Sequence, residues 1–189
     1  MKKITWNSPV VLTFALISLL ALVLNGVTGG ASNRLLFSVY RSSWSDPLSY
    51  VRLFTHVLGH ASWQHYAGNM LLFLLTGPLL EEKYGSKRLL QLIAITALAT
   101  GLVHILLFPN TGLLGASGID FAFILLASIT GSRRSGEIPL TLILVAVIYC
   151  GQQVYDGLFT ADNVSQLSHL IGGAIGTIFG LRMSSKRRY

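Results

Sequence analysis

Read from the N-terminus, the chain is a series of apolar runs separated by short polar breaks. Val10–Val27 is apolar apart from Thr13, Ser18 and Asn25, and further runs cover 66–80, 89–108, 114–130, 138–152 and 164–181. A helix needs about 20 mostly apolar residues to cross the hydrocarbon core of a bilayer. The pattern therefore predicts six membrane-spanning helices. Gly77-Pro78 and the charged stretch Glu81–Ser86 are expected to close the second run, and Pro109-Asn110 the third. Lys2 and Lys3 before the first run give it the look of a signal peptide, but the run is long for one and more spans follow, so it reads as the first helix. The connection 29–64 is long and carries Trp44, Trp63, Tyr40 and Tyr50, which suits a segment lying at the membrane interface.

Composition supports this reading. Charged residues make up 11% of the 189 positions, against about 25% in soluble domains. Hydrophobic residues reach 52% and the mean hydropathy is +0.61. These values exclude a disordered chain, a disulfide scaffold and most soluble enzymes. With no internal repeat, linker or appended soluble domain in view, residues 1–189 are expected to form a single all-α, polytopic membrane domain. The net charge of +7 comes without a basic aromatic patch, so no nucleic-acid partner is expected. Its distribution is more informative. Lys2, Lys3, Lys83, Lys87, Arg88, Arg133, Arg134, Arg182, Lys186, Arg187 and Arg188 fall on one side of a six-span topology, and only Arg34, Arg41 and Arg52 on the other. Basic residues accumulate in cytoplasmic loops, which predicts that both termini are cytoplasmic. The lone Cys150 cannot form an intramolecular disulfide and reads as a small buried hydrophobe.

Polar side chains inside spans are functional candidates because burying them unpaired is costly. His65 and Asn69 begin the second span, four residues apart and so on one face. Ser117 lies among small residues in Gly115-Ala116-Ser117-Gly118, with Asp120 three positions on. His169 starts the sixth span and is followed by Gly172, Gly176 and Gly180, a ladder that lets another helix approach closely. Close packing of the fourth and sixth spans would bring a hydroxyl and an imidazole together as a nucleophile and its general base. His65, Asn69 and the Ser117 backbone N–H could donate hydrogen bonds to a tetrahedral oxyanion. No carboxylate is required if packing fixes the imidazole.

These residues resemble the rhomboid family of intramembrane serine proteases. The match runs from the "RLFTHVLGHASWQHYAGNM" segment at Arg52 through "GPLLEEKYGS", then "GASG" at Gly115–Gly118 and "SHLIGGAIG" at Ser168–Gly176. The resemblance implies a minimal six-span rhomboid-like bundle in the plasma or inner membrane, with no cofactor. It implies cleavage of membrane proteins within or beside their transmembrane segments. By position, Ser117 resembles the nucleophile, His169 the base, and His65 with Asn69 the oxyanion-stabilising pair. His60 resembles a further supporting histidine, and Glu81 with Gly85-Ser86 a structural turn. Phe121 stands where many members have a tyrosine that stacks on the catalytic histidine.

Other readings are open at this stage. An inert rhomboid-like protein would bind transmembrane segments without cutting them. A sorting-type rhomboid would trim C-terminal anchors of surface proteins. A small transporter is disfavoured by the lack of an inverted repeat or paired broken helices. His56, His60 and His65 are spaced as metal ligands can be, but no acidic partner lies close in sequence and no metal is expected. His56 is expected to hydrogen-bond within a buried loop, and His104 to be satisfied between helices. Asp120 is expected to lie in interior packing or a polar cavity, and Gln152, Gln153 and Asp156 at the wet end of the fifth helix.

Overall fold

The structure, a computed structural model, describes residues 4–130 and 163–185 and some positions between 140 and 151. About half of the fifth apolar run, including Cys150 and Gln152, lies outside the described residues, as do Gln153 and Asp156. What is described is helical, with a single isolated bridge between Val39 and Leu113. The longer helices are α1 (Pro9–Val27), α2 (Pro47–Thr55), α3 (Trp63–Tyr84), α4 (Ser86–Leu107), α5 (Ser117–Thr130) and α6 (Asn163–Ser185). Among the described residues, α1 and α4 are long and apolar enough to cross a membrane by length and composition, and α5 is a shorter apolar helix.

Two boundaries differ from the sequence reading, each for a local reason. The second run does not close at Gly77-Pro78: α3 continues through Pro78 and ends at Tyr84, inside the charged stretch. A proline inside a helix removes one N–H and crowds the preceding turn, yet neighbours hold this end in place. Glu81 is buried and reaches across to α1, whose Ser8 N-cap makes no side-chain cap bond. The Val10 and Val11 amides donate to its two carboxyl oxygens at 3.0 and 3.1 Å, and the Ser86 hydroxyl donates at 2.7 Å. One acidic side chain thus caps α1 and ties it to the α3–α4 corner. That corner turns on Gly85 at φ +82°. The fourth run begins its helix at Ser117 rather than Leu114, because Leu113 pairs with Val39 and Gly115 takes φ +121°.

The core sits where α1, α3, α4 and α5 meet. Phe73 of α3 stacks between Phe14 of α1 and Phe123 of α5, with ring centroids 4.6 and 5.0 Å apart. Gly77 lies in the same layer, against Val11 and Phe123. The α6 helix packs on α5 through its glycines. A Cβ at Gly172 would run into the Gly118 carbonyl and one at Gly176 into the Ala122 carbonyl. The two backbones are therefore in direct contact, as the ladder predicts.

The interfacial connection is ordered rather than an open loop. It contains a π-helical turn at Asn33–Phe37, then α2, then a 3-10 turn at His56–Leu58. Arg52 is 2% exposed and anchors it. Its guanidinium pairs with Asp46 at 2.7 Å, donates to Ser42 Oγ and the Leu35 carbonyl, and lies over the Tyr40 ring. The Arg52 hydrogen bond holds the Asp46 carboxyl below its ordinary range. Asp46 also caps α2 by accepting from the Leu48 amide.

Candidate active site

Gly115, in the turn into α5, meets the start of α3 and the interfacial segment, while the first part of α6 lies against Gly118. The Gly115 amide donates to the His56 carbonyl at 3.0 Å, which fixes the turn to the interfacial segment. A Cβ at Gly115 would lie 2.7 Å from His65 Nε2 and 3.4 Å from Asn69 Nδ2. Only glycine suits both the positive φ and that crowding. The predicted oxyanion pair therefore faces the backbone two residues before Ser117. The Ser117 amide, at the first position of α5, has no acceptor within its own helix.

A hydrogen bond selects the tautomer of the neutral His65 ring. The Ala61 amide donates to its Nδ1 at 3.4 Å. Nδ1 must then be unprotonated, so in the neutral ring the proton sits on Nε2, the atom facing Gly115. His65 thus presents a donor to the same place as Asn69.

In α6, His169 lies flat on Phe121, with ring centroids 4.3 Å apart and planes within 4°. Phe121 is one turn along α5 from Ser117. Gly118 approaches the Ser168 carbonyl, and Gly172 approaches Gly118 in turn. His169 therefore belongs to the stretch of α6 that rides on the first turn of α5. Ser117, His65 and His169 are half-buried, while Asn69, Gly115 and Gly118 are buried. Phenylalanine in place of tyrosine keeps the stacking and lacks the hydroxyl. Of the predicted residues, Ser117, His169, Gly118, Phe121, Gly172 and Gly176 lie along the start of α5 or its contact with α6, His65 and Asn69 face Gly115, and His60 joins them through Asn69.

The remaining polar candidates separate from this group. His56 is buried as expected, and its Nδ1 and Nε2 lie 3.1 and 3.3 Å from the Arg52 carbonyl and Thr100 Oγ1. Burial pushes its pKa down to about 4. His104 is satisfied on one side only: Nε2 lies 2.9 Å from the Thr111 carbonyl, whereas Nδ1 is buried without a partner. That carbonyl belongs to the loop after α4, so His104 clamps a loop rather than joining two helices. Asp120 is 1% exposed, and neither carboxyl oxygen has a hydrogen-bond partner. It is the largest polar debt in the described interior.

Sequence reasoning missed three supports. Asn33 Nδ2 donates to the His60 carbonyl at 3.0 Å, Thr100 holds His56, and the Tyr66 hydroxyl donates to the Ala15 carbonyl of α1 at 3.1 Å. Asn33 and Thr100 carry no local signal, since each acts across tens of residues. Tyr66 sits beside His65 and could have been picked out as a polar tip in an apolar run.

Comparison with known proteins bears on the same residues. The rhomboid domain model matches residues 47–186, a range that includes every residue of the site. Rhomboid-related protein 1 of Caenorhabditis elegans is 28% identical over 137 residues, covering 68% of this chain. The aligned part is 38% of that protein's own length. With the family's domain matched across most of its length, the chain belongs to the rhomboid family.

Proposed function

We propose that this protein is an intramembrane serine endopeptidase that hydrolyses peptide bonds in or beside the transmembrane segments of membrane proteins. Family membership supports a membrane-embedded protein, and rhomboids are typically serine proteases. The finer reading is carried by the stacking of His169 on Phe121 one turn from Ser117, together with the two donors that face Gly115. In this reading Ser117 Oγ attacks the scissile carbonyl while His169 takes the hydroxyl proton. The tetrahedral oxygen receives hydrogen bonds from His65 Nε2–H, Asn69 Nδ2–H and the Ser117 amide. His169 then passes the proton to the leaving amine, and water hydrolyses the acyl ester with His169 again as base. The Phe121 ring restricts the imidazole to one plane, the orienting task that a carboxylate performs in a triad.

The proposal extends to topology: six spans in the plasma or inner membrane, with both termini cytoplasmic and the site opening from the opposite side. A substrate peptide bond within a regular helix is shielded by its own hydrogen bonds, so local unwinding precedes attack. Ser117→Ala and His169→Ala are expected to abolish cleavage of a transmembrane reporter in detergent or liposomes while leaving membrane insertion unchanged. A fluorophosphonate is expected to label the wild type and not Ser117→Ala. Cleavage by Ser117→Ala at the wild-type rate would refute the assignment. An unlabelled, inactive wild type would favour a protein that only binds transmembrane segments.

A further inference from the structure

His60 contributes no atom to the site around Gly115, yet its hydrogen bonds form an ordered chain that ends there. Its backbone carbonyl accepts from Asn33 Nδ2 at 3.0 Å. Its Nδ1 lies 3.1 Å from the Leu58 carbonyl, which can only accept, so Nδ1 carries the ring proton. In a neutral imidazole the other nitrogen is then bare. Nε2 lies 3.1 Å from the Asn69 side-chain amide. A bare nitrogen can only accept, so it selects the NH2 of Asn69 and repels the carbonyl oxygen. Burial favours this neutral form of the ring. The His60 ring is also held edge-on by Tyr66 and His65, with centroids 5.4 and 5.0 Å away.

We infer that His60 is a positioning residue that fixes the flip state of the Asn69 amide, so that Asn69 offers an N–H rather than a carbonyl oxygen toward Gly115. This rests on the proposed oxyanion role of Asn69 and deepens it. An amide has two orientations of nearly equal shape. With its oxygen turned toward the developing oxyanion, Asn69 would repel the charge it is meant to stabilise. One N–H is engaged by His60 and the second is left for the transition state. The interfacial segment thereby sets a catalytic polarity through the hydrogen bond His60 accepts from Asn33 and the one it donates to Leu58.

The test compares His60→Met, which has no nitrogen acceptor, with His60→Gln, whose Oε1 can take the place of Nε2. In His60→Met, kcat for a transmembrane reporter is expected to fall ~10- to 100-fold with KM unchanged, less than the ~100- to 1,000-fold typical of losing an oxyanion donor outright. His60→Gln is expected to recover most of that loss. Asn69→Ala combined with His60→Met is expected to be no slower than Asn69→Ala alone, since His60 acts only through Asn69. Thermal unfolding of each variant is measured alongside. Three outcomes would overturn the inference: additive losses in the double variant, His60→Gln as slow as His60→Met at equal stability, or wild-type kcat in His60→Met. Ser117→Ala separates the two levels, because its retained activity would fail the dyad itself, whereas its inactivity beside an unaffected His60→Met would fail only the positioning role.

Discussion

At the scale of single residues, the interfacial segment buries two imidazoles in neutral form. Burial pushes His56 and His60 down to about 4, while an imidazole in the unfolded chain titrates near ~6.5. Below that value the unfolded chain takes up protons that the native state refuses until about pH 4. Their contribution to stability is therefore complete above pH ~6.5, is lost as the pH falls toward about 4, and changes no further below that. Thermal unfolding in detergent is expected to show a midpoint that falls steeply across this window. The slope should be clearly shallower in the double variant His56→Gln/His60→Gln, which carries no titrating ring at either place. Equal slopes would mean that carboxyl groups govern the acid limb. The residue scale is also where the sequence was most legible. Scarcity made Ser117, His169, His65 and Asn69 visible, because a polar group in an apolar run needs a reason. Asp120 was equally visible by that logic, yet its partnerless burial could be learned only from packing.

At the scale of elements, the approach of α6 to α5 decides whether the half-site on each helix becomes one site. The glycines of the ladder are not equivalent. At Gly172 and Gly176 an added Cβ would meet backbone of α5, which cannot move aside without shifting the helix. At Gly180 it would meet the Ile129 and Leu126 side-chain tips at 2.7 and 2.9 Å, and at Gly173 the Leu125 tip at 2.8 Å. Side-chain tips change rotamer, so these two positions should yield at low cost. Gly172→Ala and Gly176→Ala are expected to lower stability by more than the ~1–3 kcal/mol usual for overpacking. Gly180→Ala should stay near or below ~1 kcal/mol. Gly172→Ala should also lose reporter cleavage out of proportion to its stability, because it lies one turn from His169. Unfolding midpoints and single-turnover rates for the four alanine variants would show this order or contradict it. The ladder itself was readable from spacing. The α5 start was not, because nothing in Leu114-Gly115-Ala116 announces a φ of +121° or a bridge to Val39 across more than seventy residues. The extension of α3 past Pro78 was hidden for a similar reason, since the Glu81 bonds that favour it are made to α1.

At the scale of the whole molecule, the uneven distribution of basic residues can be set beside the contacts of the minority. Of the three on the sparse side, Arg52 is buried in the interfacial segment, and Arg41 donates to the Ile105 and Leu106 carbonyls at the end of α4 at 2.9 and 2.7 Å. Those two hold the connection against the helices, although Arg41 is exposed, as is Arg34. On the crowded side, Lys87 and Arg88 stand exposed in the first turn of α4. Positive charge near span ends is what orients a membrane protein. This leads to a direct expectation for the proposed topology. In a Cys150→Ser background, a cysteine at exposed Ser45 is expected to react with a membrane-impermeant maleimide in intact cells. One at exposed Glu82 is expected to react only after permeabilisation. A tag after Tyr189 should behave like Glu82. The reverse pattern would invert the orientation and place the site on the cytoplasmic side. Labelling of the tag and of Glu82 from opposite sides would break the six-span count instead, because an even number of crossings between Glu82 and the C-terminus is what keeps them together. Either result would leave the α5–α6 contact and the Gly115 surroundings as they are, and would change only which side of the membrane supplies water and substrate to Ser117.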